Sequence, residues 1–389
     1  MAEGEIQVLV VGGGIGGLSL AGFLQRAGVD PVVVERAEGR PDRPGVVELW
    51  PDAVRLLSRL DVGRKVRDAG VDVTRWARRR PDGTVAERLT ASDEFGFLAV
   101  DYARLLTVLR GAVADGTVHE GSTLRSLDPG RGSVAVELAN GVREQFDVVI
   151  GADGVRSRTR EVLGGDGATF CGTTSVAFPL PDGVELGAAG EVWTADGAVF
   201  RAVPNGHGGA AWLTVPSKVP GQGVDDAGAL AGLCPTVDWL LPEAAEAVDA
   251  GDLWWADDFR VPTDEWVDGR VALLGDAAHA RHRLTGVGAT LAIEDAAVLA
   301  AELVGGDDAP AARLADYAAR RRSRLDRPDA GARAGAPLAG IESELAERHP
   351  AIPAVRGGRL AACFGGDPPT PATALGGSDG ERSSGDRGR

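Results

Sequence analysis

Three glycines, Gly12, Gly14 and Gly17, fall in the spacing G-x-G-x-x-G, with Gly16 inside the same turn. That spacing suits a pyrophosphate. The first glycine turns the chain tightly, the second lets the backbone approach the phosphates, and the third lets a following helix pack closely. The helix start then presents unpaired N–H groups and a positive partial charge to the anion. Glu35 follows at roughly the distance at which a carboxylate meets a ribose hydroxyl, with Arg36 beside it. An acid at that position favours the unphosphorylated ribose of FAD or NAD over that of NADP. Two more carboxylates adjoin glycines far along the chain, in Gly151-Ala152-Asp153-Gly154-Val155-Arg156-Ser157 and in Gly275-Asp276. Each suits ligand binding, and each equally suits a helix cap.

Buried strands must carry these residues. Ile6 to Val11 is an apolar run leading into the glycines, Leu18 to Ala27 reads as the helix after them, and Pro31 to Val34 as the strand that ends at Glu35. Asp147 to Ile150 and Val271 to Leu274 are similar runs that end at the other two carboxylates. Helical spacing recurs from Asp52, a candidate cap, through Val54, Leu57 and Leu60, and again over Tyr102 to Val113, Ala289 to Val304 and Ala309 to Leu325. Val73 to Ala77 and Thr84 to Leu89 flank the turn Pro81-Asp82-Gly83 as a hairpin, with Arg78, Arg79 and Arg80 as a solvated rim. Asn140-Gly141 marks another hairpin, after Val134 to Leu138. Between Cys171 and Val261 short alternating segments predominate: Glu191 to Thr194, Val199 to Val203 and Ala211 to Val215, with turns at Asp196-Gly197 and Asn205-Gly206. They predict an antiparallel second lobe. Six of the eight tryptophans lie there or at its end, suited to sheet packing or to lining a pocket.

Composition narrows the function. With 389 residues the chain is long enough for two lobes. A net charge of −16 disfavours nucleic acid as a partner. Lys65 and Lys218 are the only lysines, so arginine carries nearly all the positive charge. Adaptation to a salt-rich cytoplasm and a GC-rich coding bias would both leave that signature. Cys171, Cys234 and Cys363 lack the spacing of a zinc site or a disulfide framework, so no metal is expected. No apolar run approaches the ~18 residues of a membrane span, and Met1 to Ile6 leaves no room for a signal peptide. A soluble cytoplasmic protein, monomeric or homodimeric, is expected.

The three strand-end segments together resemble the FAD-dependent monooxygenases of the para-hydroxybenzoate hydroxylase type. In that family an N-terminal GxGxxG, a central DG motif and a late GD motif jointly bind one FAD. The matches are Val11 to Gly17, Gly151 to Ser157, and Leu273-Leu274-Gly275-Asp276-Ala277-Ala278-His279-Ala280. The resemblance spans roughly residues 5 to 325. It implies an α/β fold, with a Rossmann-like FAD-binding lobe over 1–75, 96–170 and 265–330. A mainly antiparallel β-sheet substrate lobe would be inserted over 76–95 and 171–264. Beyond these, a helical segment is expected over 331–375 and a disordered tail over 376–389.

Glu35 would then hold the adenosine ribose, Gly12, Gly14 and Gly17 the pyrophosphate, and Asp276 the ribityl chain or phosphates. Asp153 and Gly154 would serve FAD and the reduced nicotinamide, and Gly286-Val287-Gly288 would bring N–H groups to the pyrimidine edge of the flavin. The implied reaction is reduction of FAD by NADH or NADPH, formation of a C4a-hydroperoxyflavin with O2, and hydroxylation of a hydrophobic or aromatic small molecule. Two departures stand out. Arg283 occupies the place of a flavin-facing proline, which implies a more basic pocket beside the reacting edge and makes Arg283 a candidate catalytic residue; Tyr102 occupies that of a helix-start arginine, leaving Arg104, two positions on, as its candidate substitute. His282 is a candidate base for ionising a phenol, whereas His279 reads as a packing or hydrogen-bonding residue. The alternatives are a flavin-dependent reductase of an isoprenoid-like substrate and a non-catalytic flavin-binding protein. A halogenase fits less well, because Trp254-Trp255 is not a W-x-W-x-I-P motif, and a plain NAD dehydrogenase leaves Gly275-Asp276 unexplained.

Overall fold

The computed structural model describes residues 6–325 except 40–43, 91–95, 185, 207, 222–229, 262–264 and 306–307. The expected 331–375 helical segment and 376–389 tail lie outside the described residues.

A six-stranded sheet runs in the order Val267–Asp268, Val271–Leu273, Val148–Gly151, Val8–Val11, Val32–Glu35, Val118–Glu120. Only the first pair is antiparallel. Its central strands are fully buried runs of Val, Leu and Ile, as a parallel sheet covered on both faces requires. The register places the site. Val11 lies opposite both Val34 and Gly151, and Gly151 lies opposite Leu273, so the chain leaves four strands at one edge. The glycine turn, Glu35, Asp153 and Asp276 therefore emerge together despite wide separation in sequence.

A seven-stranded sheet forms the second lobe, in the order Trp254–Arg260, Thr169–Pro179, Ala210–Pro216, Val199–Val203, Ala189–Trp193, Arg75–Arg79, Val85–Thr90. It is antiparallel except where Ala189–Trp193 meets Arg75–Arg79. The architecture is the α/β fold with an inserted, mainly antiparallel sheet that the motifs imply. A small sheet of Val46–Leu49, Phe97–Asp101 and Gly70–Val73 stands between the lobes. There Trp50, Trp76, Phe97, Ala189 and Val203 share one buried cluster. The helix Gly288–Val304 is buried along most of its length against Ile15–Arg26, Pro51–Ser58 and Pro310–Leu325.

Some local expectations need correction. The first helix begins at Ile15 rather than Leu18, directly at the glycine turn. Asp52 is not the cap of its helix: Trp50 is, Pro51 takes the first helical position, and Asp52 pairs with Arg55 within the first turns. The expected strand Val73 to Ala77 breaks at Thr74, where the chain leaves one sheet for another: Gly70–Val73 pairs with Phe97–Asp101, and Arg75–Arg79 with Val85–Thr90. Of the predicted arginine rim, Arg80 is exposed and Arg78 faces Glu87 at 3.9 Å. Arg79 instead stacks on Trp239 at 4.7 Å. No helix among the described residues is long and apolar enough to cross a membrane.

Candidate cofactor and substrate cleft

A cleft of about 830 Å³ runs from the glycine turn to the face of the seven-stranded sheet. At its nucleotide end Gly12 adopts φ +113°, and a side chain there would collide with the Ala152 carbonyl. A Cβ on Gly14 would meet nothing within 4 Å, which leaves its backbone open to the cleft. Gly17 is different: it packs on Gly12 and does not line the cleft. The helix Ile15–Arg26 has no side-chain cap on its first N–H groups, so its N-terminal donors stay available to an anion. Glu35 accepts the Gly13 N–H at 2.7 Å on one oxygen and the Ala37 N–H at 2.8 Å on the other. Each oxygen keeps a further lone pair for a hydroxyl. Arg36 lines the cleft and is exposed.

Asp153 and Asp276 divide between the two roles open to them. Asp153 accepts from Ser157 Oγ at 2.6 Å, and from the Thr159 N–H and Oγ1 at 3.0 and 3.1 Å. It ties down the start of the helix Arg158–Val162 as a cap does, while its residue and Gly154 still line the cleft. Asp276 is exposed at the head of Asp276–His279, lines the cleft, and stands beside Gly288. Gly286 and Gly288 line the same wall, and the long helix Gly288–Val304 starts there without a side-chain cap. Val287 is turned away into the cluster around Trp50. Tyr102 lines the cleft. Arg104 is exposed and is not among the lining residues, because two positions along a helix rotate a side chain by about 200°.

At the sheet end His282 is buried beneath the surface of the cleft. Its Nδ1 accepts the Leu284 N–H at 3.2 Å, so the neutral ring carries its proton on Nε2. That proton goes to Thr173 Oγ1 at 2.8 Å, and Thr173 donates in turn to Asp258 at 3.0 Å. Burial lowers the His282 pKa; Asp258 opposes this, and Arg283 and Arg201 add to it. With both ring nitrogens engaged, no lone pair is left for a substrate proton. The geometry gives the candidate base His282 the role of a buried cap. Arg283 does line the cleft: its Nε donates to Asp258 at 2.7 Å, and its guanidinium lies 4.9 Å from the centre of the Trp254 ring. Trp212, Trp254 and Trp255 line the cleft, while Trp239 and Trp266 pack in the two cores.

Sequence reading missed several supporting groups. Buried Arg160 ties the Asp153 loop to the GD segment through the Val155 and Ala277 carbonyls, at 2.7 and 2.8 Å. Asp295 accepts the Gly275 N–H at 2.8 Å, His279 Nε2 at 2.6 Å and Arg321 Nε at 2.5 Å. Burial works to raise the Asp295 pKa, but His279 and Arg321 outweigh it and hold the carboxyl well below the usual range. Arg201 joins Glu48 at 3.2 Å and Glu191 at 3.1 Å. A charged residue on an otherwise apolar stripe, as at Glu294-Asp295, was the only signal any of these offered.

Comparison with known proteins decides the family. A family model described as an FAD binding domain matches residues 5–207 and 241–327. This chain belongs to the FAD-dependent monooxygenases of the para-hydroxybenzoate hydroxylase type. Among similar members of the family, aurachin C monooxygenase/isomerase of Stigmatella aurantiaca is 33% identical over 333 residues, covering 82% of this chain and 86% of the relative. 3-Hydroxybenzoate 6-hydroxylase of Polaromonas naphthalenivorans (strain CJ2) is 30% identical over 344 residues, covering 83% and 84%. The solved structure of Klebsiella pneumoniae HpxO, complexed with FAD and uric acid, superposes with a TM-score of 0.75 at 22% identity, over 94% of this chain and 98% of that one, and shares the fold. The protein is an FAD-dependent oxidoreductase, and the open Gly14 backbone, the free helix start and the lone pairs of Glu35 fit that cofactor.

Proposed function

We propose that this protein is an NAD(P)H-driven monooxygenase that inserts one atom of O2 into a small aromatic or hydrophobic molecule. The observation that carries the reading is the continuity of one cleft from Gly14 and Glu35, past Asp276 and Gly288, to Trp212 and Trp254. A cofactor held at one end would therefore meet a substrate held at the other. The named activities of the relatives, which include hydroxylation of 3-hydroxybenzoate, support the same substrate class.

Bound FAD would supply the redox chemistry, taking a hydride from NADH or NADPH and activating O2. The chain's own part is positioning. Glu35 orients the ribose, and the glycine turn with the helix start at Ile15 holds the pyrophosphate. Asp276 accepts from the ribityl hydroxyls. The helix start at Gly288 places positive partial charge where the reduced cofactor gathers negative charge. Trp212 and Trp254 cover the sheet end and keep water from the reacting edge.

The test is oxygen dependence. FAD-reconstituted protein should consume O2 and NADH or NADPH together when an aromatic acceptor such as 3-hydroxybenzoate is added, and should yield a hydroxylated product. Equal coenzyme oxidation under argon, with a hydrogenated product, would establish a reductase instead. Binding of FAD without coenzyme consumption would leave a flavin-binding protein.

A further inference from the structure

We infer that Arg283 is a specificity-determining residue that receives an anionic oxygen substituent of the substrate, a carboxylate or a phenolate, on its two terminal Nη groups. The inference rests on the monooxygenase reading for the word substrate, but its evidence is local. Asp258 is 1% exposed and is fixed by Thr173 Oγ1 at 3.0 Å and Ser175 Oγ at 2.7 Å. That immobile carboxylate grips Arg283 through Nε alone, at 2.7 Å. Trp254 covers a face of the guanidinium at 4.9 Å. A side chain held at one edge and on one face has a fixed direction, unlike an arginine on a solvated rim.

What remains is the Nη end. Among the described residues neither Nη1 nor Nη2 has a hydrogen-bond partner, although the side chain lines the cleft with 29% of its surface exposed. Arg201, one of the other cations lining this cleft, has already committed both Nη groups to Glu48 and Glu191. Neutralising Asp258 needs only the Nε side, so the end edge is surplus to that role. Two coplanar N–H donors at that edge match the two oxygens of a carboxylate, or grip a single phenolate oxygen. The edge points away from the Nε-bonded carboxylate, so a bound anion meets the guanidinium before it meets Asp258. The indoles of Trp212 and Trp254 stand on the same wall and offer apolar surface to an attached ring.

The experiment is a binding measurement on FAD-reconstituted protein without coenzyme, read from the perturbation of the flavin absorption. 3-Hydroxybenzoate is paired with 3-hydroxybenzamide for the carboxylate, and 4-nitrophenolate with nitrobenzene for the phenolate. The native protein should bind at least one anion about tenfold or more tightly than its neutral partner, a preference of about 1.4 kcal/mol. Arg283→Met should erase the preference and Arg283→Lys should keep part of it, while FAD affinity stays within about twofold. The inference is overturned if no anion binds better than its partner, or if the preference survives in Arg283→Met. It is also overturned if that variant loses FAD affinity with the preference unchanged, since Arg283 would then serve the cofactor. Anion preference without O2 consumption would sink the monooxygenase reading and leave this site standing.

Discussion

His282 shows how far the identity of a residue falls short of its role. As the one histidine at the reacting end of the segment it suits a catalytic base, yet its bonds to Leu284 and Thr173 use both nitrogens. Its chemistry appears in folding instead. The folded imidazole binds a proton less readily than the unfolded one, whose ordinary value is 6.5, first because of burial. The unfolded state therefore takes up more protons as the pH falls through that value. Stability from this site is complete above about pH 6.5 and declines below it, by up to about 1.4 kcal/mol per pH unit for one proton. Asparagine can cap the same turn, because its side-chain oxygen accepts the N–H two residues on. His282→Asn should accordingly flatten the loss of urea stability between about pH 7 and pH 5. Asp295, whose folded carboxyl is held below its ordinary value of 3.8, loses its contribution only as the pH falls through that value, below this window. An unchanged slope in that variant would show that another group governs this window.

At the scale of elements, the strands and their glycine ends were readable because a parallel sheet imposes a simple signature of apolar runs closed by small residues. Gly12, Glu35 and Asp276 were legible for that reason, and the register of Val11, Gly151 and Leu273 accounts for their convergence. The brace behind them was not legible. Asp295 reaches Gly275 and His279 across 20 and 16 residues and Arg321 across 26, and no local spacing encodes such bonds. Its work is to fix the backbone of Gly275, which stands at φ +60°, so that Asp276 faces the cleft. Asp295→Asn keeps the shape and removes the charge from beside buried Arg321. Because Arg321 keeps Glu294 at 2.9 Å, the cost should fall below about 3–5 kcal/mol, that of a fully uncompensated buried charge. It should also weaken FAD binding, because one amide oxygen cannot accept from Gly275, His279 and Arg321 together, which loosens the tether of the GD segment. Thermal melts with and without FAD separate the two effects: a destabilised protein with unaltered FAD affinity would confine Asp295 to stability.

The whole molecule has two lobes and a surplus of negative charge, and each bears on how the cleft stays formed. With a net charge of −16, self-repulsion is long-ranged in dilute buffer and is screened within about 3 Å at 1 M salt. Salt adaptation predicts a melting temperature and an activity that climb with KCl, whereas coding bias alone predicts little change in either. Specific contacts across the lobes answer to a different test. Glu48, on the small sheet between the lobes, meets Arg201 on the seven-stranded sheet, and both are buried. Arg201 also offsets Glu191 on its own sheet, so a single guanidinium holds two carboxylates at the cleft wall. Arg201→Met removes the cation that the two buried carboxylates share, and should destabilise the protein by up to about 3–5 kcal/mol. Adding Glu48→Gln and Glu191→Gln should restore much of that loss, since the cost lies in the uncompensated charges rather than in the missing arginine. If the triple variant is no more stable than Arg201→Met alone, the loss lies in the packing of Arg201 over Trp76, 4.9 Å away, and the ion pairs are incidental to holding the lobes together.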